Sequence, residues 1–368
     1  MKRTYGGLEI LRFVCASVVI FSHYHHFFVL SIYPSFPADY HREAQPFYNY
    51  ASFIYDNGGF AVKVFWELSG FIFFWKYSEA IFCRKVSLYA FFILRLSRLY
   101  PLHFITLIFI AAAQWRYAAI NGTYFVYGNN DIYHFILNLF FISQWGFQKG
   151  LSFNGPIWSV SLECIAYITF FLFARYGGFS LLKTLCFLSV LFAAHVLVGY
   201  TELIDCVVYF FVGGCLCILS KEIERFGGRY LVPIMLLTTT TTLYCFIRVP
   251  DNNKTMLLLS SSLLISFALM SKAMVGARIG QASHAIGNMT YASYLVHFPI
   301  QLVLVSMTDY LVWDRSLYFN DAVFISYFIC VFVISYLTYA FIERPAQETI
   351  RNLFLPGKAM LKRGVVAG

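Results

Sequence analysis

Charge is scarce in this sequence. Asp, Glu, Lys and Arg make up 12% of the 368 residues, where a soluble domain carries about 25%. That excludes a water-soluble globule of this size, because too little polar surface remains to cover it. No polar stretch between the apolar blocks is long enough for a separate soluble domain, which excludes a soluble enzyme on a single anchor. CxxC pairs are absent, and with them a zinc site of that type. The 9 cysteines are odd in number and lie mostly in apolar runs, as at Cys15, Cys164, Cys186 and Cys330. They read as reduced, small apolar residues. A cleavable leader is also lacking. Lys2 and Arg3 precede an apolar run, but that run is long, contains Arg12 and His23, and has no small-residue cleavage site. It reads as a first helix that stays.

What is there is apolar and aromatic, at 60% and 20% of the chain. These residues come in blocks of the length that a bilayer-crossing helix needs, roughly 20 residues. The expected fold is therefore all-α, a polytopic integral membrane helical bundle of about ten transmembrane helices. The expected spans are 8–30, 59–77, 99–118, 157–175, 179–198, 204–220, 230–248, 256–272, 289–308 and 322–342. The stretch 131–145 is apolar but short and is broken by Asn138 and Gln144, so it reads as a re-entrant or interfacial helix. Residues 1–345 form one transmembrane domain, and 346–368 a short basic tail at the surface.

The net charge is +9. In a soluble protein such a balance points to nucleic acid; here it is topological, and no nucleic-acid partner is expected. Basic residues collect in cytoplasmic loops. With ten spans and an inside N-terminus, the inside segments outnumber the outside ones in Lys and Arg by roughly three to one, alternating loop by loop. Both termini are then cytoplasmic. An eleventh span through 131–145 would invert every later loop.

An ionisable side chain in a span costs about 2.5–3.5 kcal/mol on insertion scales, so each one asks for a reason. Arg12 and His23 lie 11 positions apart in the first span, about three helical turns, so both point the same way about 16 Å apart. His23 is a candidate general base, or else a histidine satisfied by a neighbouring helix. His25 and His26 lie nearer the outer interface and read as structural. Arg95 and Arg98 share a helix face at i,i+3 where the chain re-enters the membrane. Two guanidinium forks there suit phosphate, or ordinary anchoring at lipid headgroups. Ser159 and Glu163, following Trp158, share a face at i,i+4. The Glu163 carboxylate can support a histidine or act as acid or base, or pair with an in-membrane cation. Tyr291, Tyr294 and His297 run along one side of a later span, with Pro299 beyond them, as a site wall or as an aromatic belt. Lys63 and Glu67 are i,i+4 and read as partners of each other.

Taken in order, these residues resemble the membrane-bound acyltransferase-3 family over about residues 6–345. The resemblance rests on six blocks in sequence: Gly7–Leu8–Glu9–Ile10–Leu11–Arg12 with His23; Leu68–Ser69–Gly70–Phe71; Arg95 and Arg98 with Tyr100–Pro101; the run from Asn154 through Trp158 and Ser159 to Glu163; Ser293–Tyr294–Leu295–Val296–His297; and Glu343–Arg344–Pro345. It implies transfer of an acyl group, usually acetyl from acetyl-CoA as co-substrate, onto a sugar hydroxyl of an exopolysaccharide, lipopolysaccharide or lipid-linked oligosaccharide. It also implies a bacterial inner-membrane location, among membrane lipids. Carried onto this chain, Arg12, Arg95 and Arg98 would hold the acyl-CoA phosphates. His23 would take the acceptor proton with Glu163 orienting it. Trp158, Ser159, Tyr294 and His297 would shape the acceptor site. A thioester is already activated, so no metal is expected. A transient acyl-histidine is the other route. Three departures stand out: Glu9 where Asp is usual, Cys164 where many members carry a second acid, and Lys63 with Glu67 at positions commonly acidic and apolar. The rival reading is a transporter or flippase of lipid-linked glycans, against which no repeated half-structure is visible.

Overall fold

The computed structural model describes residues 6–29, 42–199, 201–225, 240, 253–273 and 278–355. Among the described residues the regular elements are helices, with no strands. In chain order the helices are α1 Gly6–Ser22, α2 Tyr48–Asp56, α3 Gly58–Lys76, α4 Ser78–Phe82, α5 Leu88–Asn121, α6 Ile132–Leu139 and α7 Trp158–Leu172. They continue as α8 Leu181–Val198, α9 Glu202–Arg225, α10 Asn253–Ala273, α11 Arg278–Tyr310, α12 Asp321–Thr338 and α13 Arg344–Phe354. Seven stretches among the described residues are long and apolar enough to cross a membrane: Gly6–Phe28, Leu88–Asn121, Gly155–Gly177, Leu181–Val198, Glu202–Glu222, Ile286–Tyr310 and Asp321–Phe354. α3 is comparably long but carries Lys63, Glu67 and Lys76. The apolar stretch Met256–Ala268 of α10 is shorter. The expected span 230–248 lies, but for residue 240, outside the described residues. The chain is thus a polytopic helical membrane protein.

Small residues set the packing. Membrane helices gain little from the hydrophobic effect against one another and associate by close backbone approach at Gly. At Gly70 of α3 a Cβ would overlap the Phe210 carbonyl of α9, and at Gly213 of α9 it would overlap the Glu67 carbonyl of α3. The two backbones therefore touch at reciprocal glycines, and α3–α9 is the most intimate pair in the bundle. α1 lies against α3 and α11, with Gly287 meeting the Glu9 side chain. The 18-residue apolar window within Ile286–Tyr310 of α11 is 72% buried, whereas α8 is 6% buried. α11 is therefore central, and α8 leaves most of its apolar surface exposed.

α5 runs well beyond the expected 99–118. The Ser87 Oγ caps its start by accepting from the Ala90 N–H, and Gly122, at φ 72°, closes its end. At 34 residues it reaches about 51 Å, longer than the roughly 30 Å hydrocarbon core. Its first turns, with Arg95 and Arg98, extend past the apolar block on which the expected span was drawn. α6 has 8 residues, about 12 Å, too short to cross. The chain after it is tied to α7, where Ser161 Oγ donates to the Phe141 carbonyl (2.8 Å) and Trp145 Nε1 to the Ser161 carbonyl (2.9 Å).

The expected pairing of Lys63 with Glu67 is replaced by partners on other helices. Lys63 Nζ lies 3.5 Å from Asp205 of α9, and Glu67 accepts from Ser261 Oγ of α10 at 2.6 Å. Two charged residues one turn apart on α3 can reach different neighbours, and α3 has two helices packed on it there.

Candidate active site

The α-helix of the first span stops at Ser22, and His23–Phe28 continues as a tighter 3₁₀ turn. A regular helix through His23 was expected. It ends because side chains bond the carbonyls that would extend it. His25 Nδ1 lies 2.5 Å from the Ser22 carbonyl, and Gln301 Nε2 donates to the His23 carbonyl at 2.9 Å. His23 Nδ1 lies 3.0 Å from His297 Nε2 on α11, and His297 Nδ1 lies 3.3 Å from the Ser293 carbonyl. His297 is fully buried, while His23 is half-buried. His26 is closed on both sides, by Gln301 Oε1 (3.1 Å) and the Tyr127 hydroxyl (3.4 Å).

A backbone gap in α11 explains a second joint. Pro299 lies inside the helix and has no N–H, so it cannot bond the carbonyl four residues before it, that of Leu295. Asn154 supplies the missing donor. Its Nδ2 reaches the Leu295 carbonyl at 3.0 Å, and the residue is 1% exposed. Beside it, the Tyr294 hydroxyl donates to the Pro156 carbonyl (2.8 Å). Ser159 Oγ lies 2.8 Å from the same Tyr294 hydroxyl. Trp158 packs edge-on to Trp66 at 5.7 Å between ring centroids. The block 154–159 and the block 293–299 are therefore one structural unit.

At the other end of α1 the cations gather. Arg12 donates to Glu9 Oε2 at 2.8 Å. The Arg95 guanidinium donates to the Tyr77 hydroxyl and lies 4.8 Å above the Phe73 ring and 5.0 Å from the Tyr77 ring. Arg98 makes no hydrogen bond or ion pair among the described residues, and its charge acts on Arg12, Lys76, Arg351 and the buried Glu343. Arg351 of α13 donates to Ser97 Oγ at 3.1 Å. Cations from α1, α3, α5 and α13 thus face one region.

Glu163 belongs to this end and not to the histidines. It accepts from Ser69 Oγ (2.8 Å) and from the Tyr167 hydroxyl (2.6 Å), and the charges of Arg12 and Arg95 act on it. It makes no hydrogen bond to His23 among the described residues, so the expectation that it orients His23 is corrected. The reason is depth, since Glu163 lies one turn further along α7 than Ser159, which already meets Tyr294. His297 occupies the place expected of Glu163.

The structure brings His23 to His297, Ser159 to Tyr294, and Arg12, Arg95 and Arg98 toward one face. It leaves Trp158 on Trp66. Tyr77, Ser69, Tyr167, Asn154, Gln301 and Arg351 were not anticipated as part of the site. Tyr167 is i+4 from Glu163, a spacing that could have disclosed it; Asn154 and Pro299 each break a local rule that the other repairs. Tyr77, Gln301 and Arg351 are brought in by tertiary packing and leave no local signal. A family profile described as an acyltransferase domain matches residues 5–340. No curated protein and no solved structure matches the chain.

Proposed function

We infer from a chain that belongs to the acyltransferase-3 family, and so is a multi-pass membrane acyltransferase, that it moves an acyl group from acyl-CoA to a sugar hydroxyl. The donor class is acetyl-CoA first, other acyl-CoA second. The acceptor is an envelope or exported polysaccharide or its lipid-linked precursor, and the setting is a bacterial inner membrane. The observation that carries this reading is the division of labour along the first span, with guanidinium groups toward one end of α1 and the half-buried His23, just past its other end, about 16 Å away.

A CoA donor carries several phosphate charges and a long neutral arm. Arg98, with no partner of its own among the described residues, and Arg12 and Arg95 beside it, offer forked donors to the phosphates. The arm is long enough to span the distance to His23. There the acceptor hydroxyl gives its proton to the imidazole as its oxygen attacks the thioester carbonyl. The C–O bond forms, the C–S bond breaks, and the imidazolium returns the proton to the departing thiolate. Glu163, held by Ser69 and Tyr167, balances charge among the arginines. Tyr294 and Ser159 brace the wall on which His297 stands.

Mass spectrometry of envelope glycans from cells with and without the protein tests this reading. A glycan that loses an acyl ester when the protein is absent supports it and names the acceptor. Unchanged glycan acylation, with membranes that consume no acyl-CoA but translocate glycan, overturns it in favour of transport.

A further inference from the structure

His23 has two ring nitrogens, and only one of them can serve as a base. In a neutral imidazole one nitrogen bears hydrogen and the other a lone pair, and the hydrogen bond made by one decides the state of the other. The contacts around the two rings determine which is which. The Ser293 carbonyl can only accept, so His297 Nδ1, 3.3 Å away, bears the hydrogen. His297 Nε2 is then a lone pair. His23 Nδ1, 3.0 Å from that lone pair, must be the donor. His23 Nε2 is left as the lone-pair nitrogen, and it has no hydrogen-bond partner among the described residues. His26, whose ring lies 4.7 Å from that of His23, does not compete. Its Nδ1 gives its hydrogen to Gln301 Oε1, and its Nε2 accepts from Tyr127.

We propose that His297 is the positioning residue of this site, locking His23 in the Nδ1–H tautomer so that Nε2 is the nitrogen that accepts the proton. This rests on the reading of His23 as the base. It assigns to a second imidazole the part that a carboxylate plays behind the histidine of a hydrolase triad. When Nε2 takes the acceptor proton, the charge on His23 is met by the His297 lone pair through the same Nδ1–H. The Ser293 carbonyl polarises that lone pair in turn, so nothing in the relay must reorient. Asn154 supports the relay indirectly, by holding α11 where Pro299 interrupts it, two residues from His297.

The test uses the full-length protein in membranes, with selectively labelled histidine. In the wild type, nitrogen NMR should show His23 with Nδ1 protonated and Nε2 bare, the resonances being assigned by their loss in His23→Ala. In His297→Leu the lock is gone, and His23 should shift to a mixture of tautomers or to the opposite one. In the acylation assay, kcat should fall by about 10²–10⁴, the range spanned by general-base loss and by a wrong tautomer in a triad, with the donor KM unchanged. His297→Gln keeps an acceptor where Nε2 lies, so it should hold the tautomer and recover kcat to within about tenfold of wild type by that reasoning. A His23 bare at Nδ1 in the wild type, or an unmoved tautomer in His297→Leu, overturns the proposal even if His23→Ala abolishes transfer. The expected tautomers in a protein that acylates nothing would instead retain the lock and remove the reaction.

Discussion

Replacing Asn154 by Leu removes the donor that serves the Leu295 carbonyl. The site is buried, so no water can take its place. A buried carbonyl left unsatisfied costs about 1–3 kcal/mol. Leu keeps the branching and heavy-atom count of Asn and opens no cavity, so the lost donor is the change that matters. The decisive comparison restores the missing backbone donor. Pro299→Ala gives residue 299 an N–H, which can bond the Leu295 carbonyl within the helix. In that background Asn154→Leu should cost at least about 1 kcal/mol less than in the wild type, since the carbonyl keeps a partner. The assay is unfolding of the purified protein in mixed micelles by SDS titration, with acyl transfer followed in parallel. The single Asn154→Leu variant should also lose activity, because the displaced segment carries His297. Additive costs in the double variant would refute the reasoning, as they would mean that Asn154 and Pro299 act separately.

Gly70→Leu should prevent assembly of the bundle, because its side chain must enter the Phe210 backbone; size-exclusion profiles of the extracted protein read this directly, with Gly59→Ala, which meets nothing within 4 Å, as the tolerated control. Arg95→Lys keeps the charge but loses the planar contact with Phe73 and Tyr77 and the forked donors. The KM for acyl-CoA should rise about tenfold, equivalent to about 1.4 kcal/mol, while Tyr77→Phe, which removes only one hydroxyl, should raise it less. An unchanged donor KM in Arg95→Lys and in Arg98→Ala alike would remove the phosphate role from this pair.

Much of the architecture was legible because membranes impose a strong rule. Backbone polar groups in hydrocarbon must bond within the chain, so long apolar blocks become helices. The lengths of the ends were less legible, because the apolar first turns of α5, started by the Ser87 cap, are followed by Arg95 and Arg98, which break the run of hydropathy before residue 99. His23, Arg12, Arg95, Arg98 and Glu163 were visible because an ionisable group in an apolar run is costly and so draws the eye. Their pairing was not visible. Sequence spacing governs contacts within a helix, as in Tyr167 with Glu163, but His23 meets His297 across 274 positions. Depth along α7 decides that Ser159 meets Tyr294 while Glu163 meets Ser69. Lys63 and Glu67 show the same limit, as i,i+4 proximity gave way to better partners on adjacent helices.

The most direct measurement is single-turnover transfer from labelled acetyl-CoA in membranes containing wild type or His23→Ala at equal, correctly inserted levels. With His23 as the base, the variant still binds the donor at its arginines, yet transfer to glycan falls by at least about 10². A His23→Ala protein that acylates glycan at the wild-type rate would contradict the account at its centre.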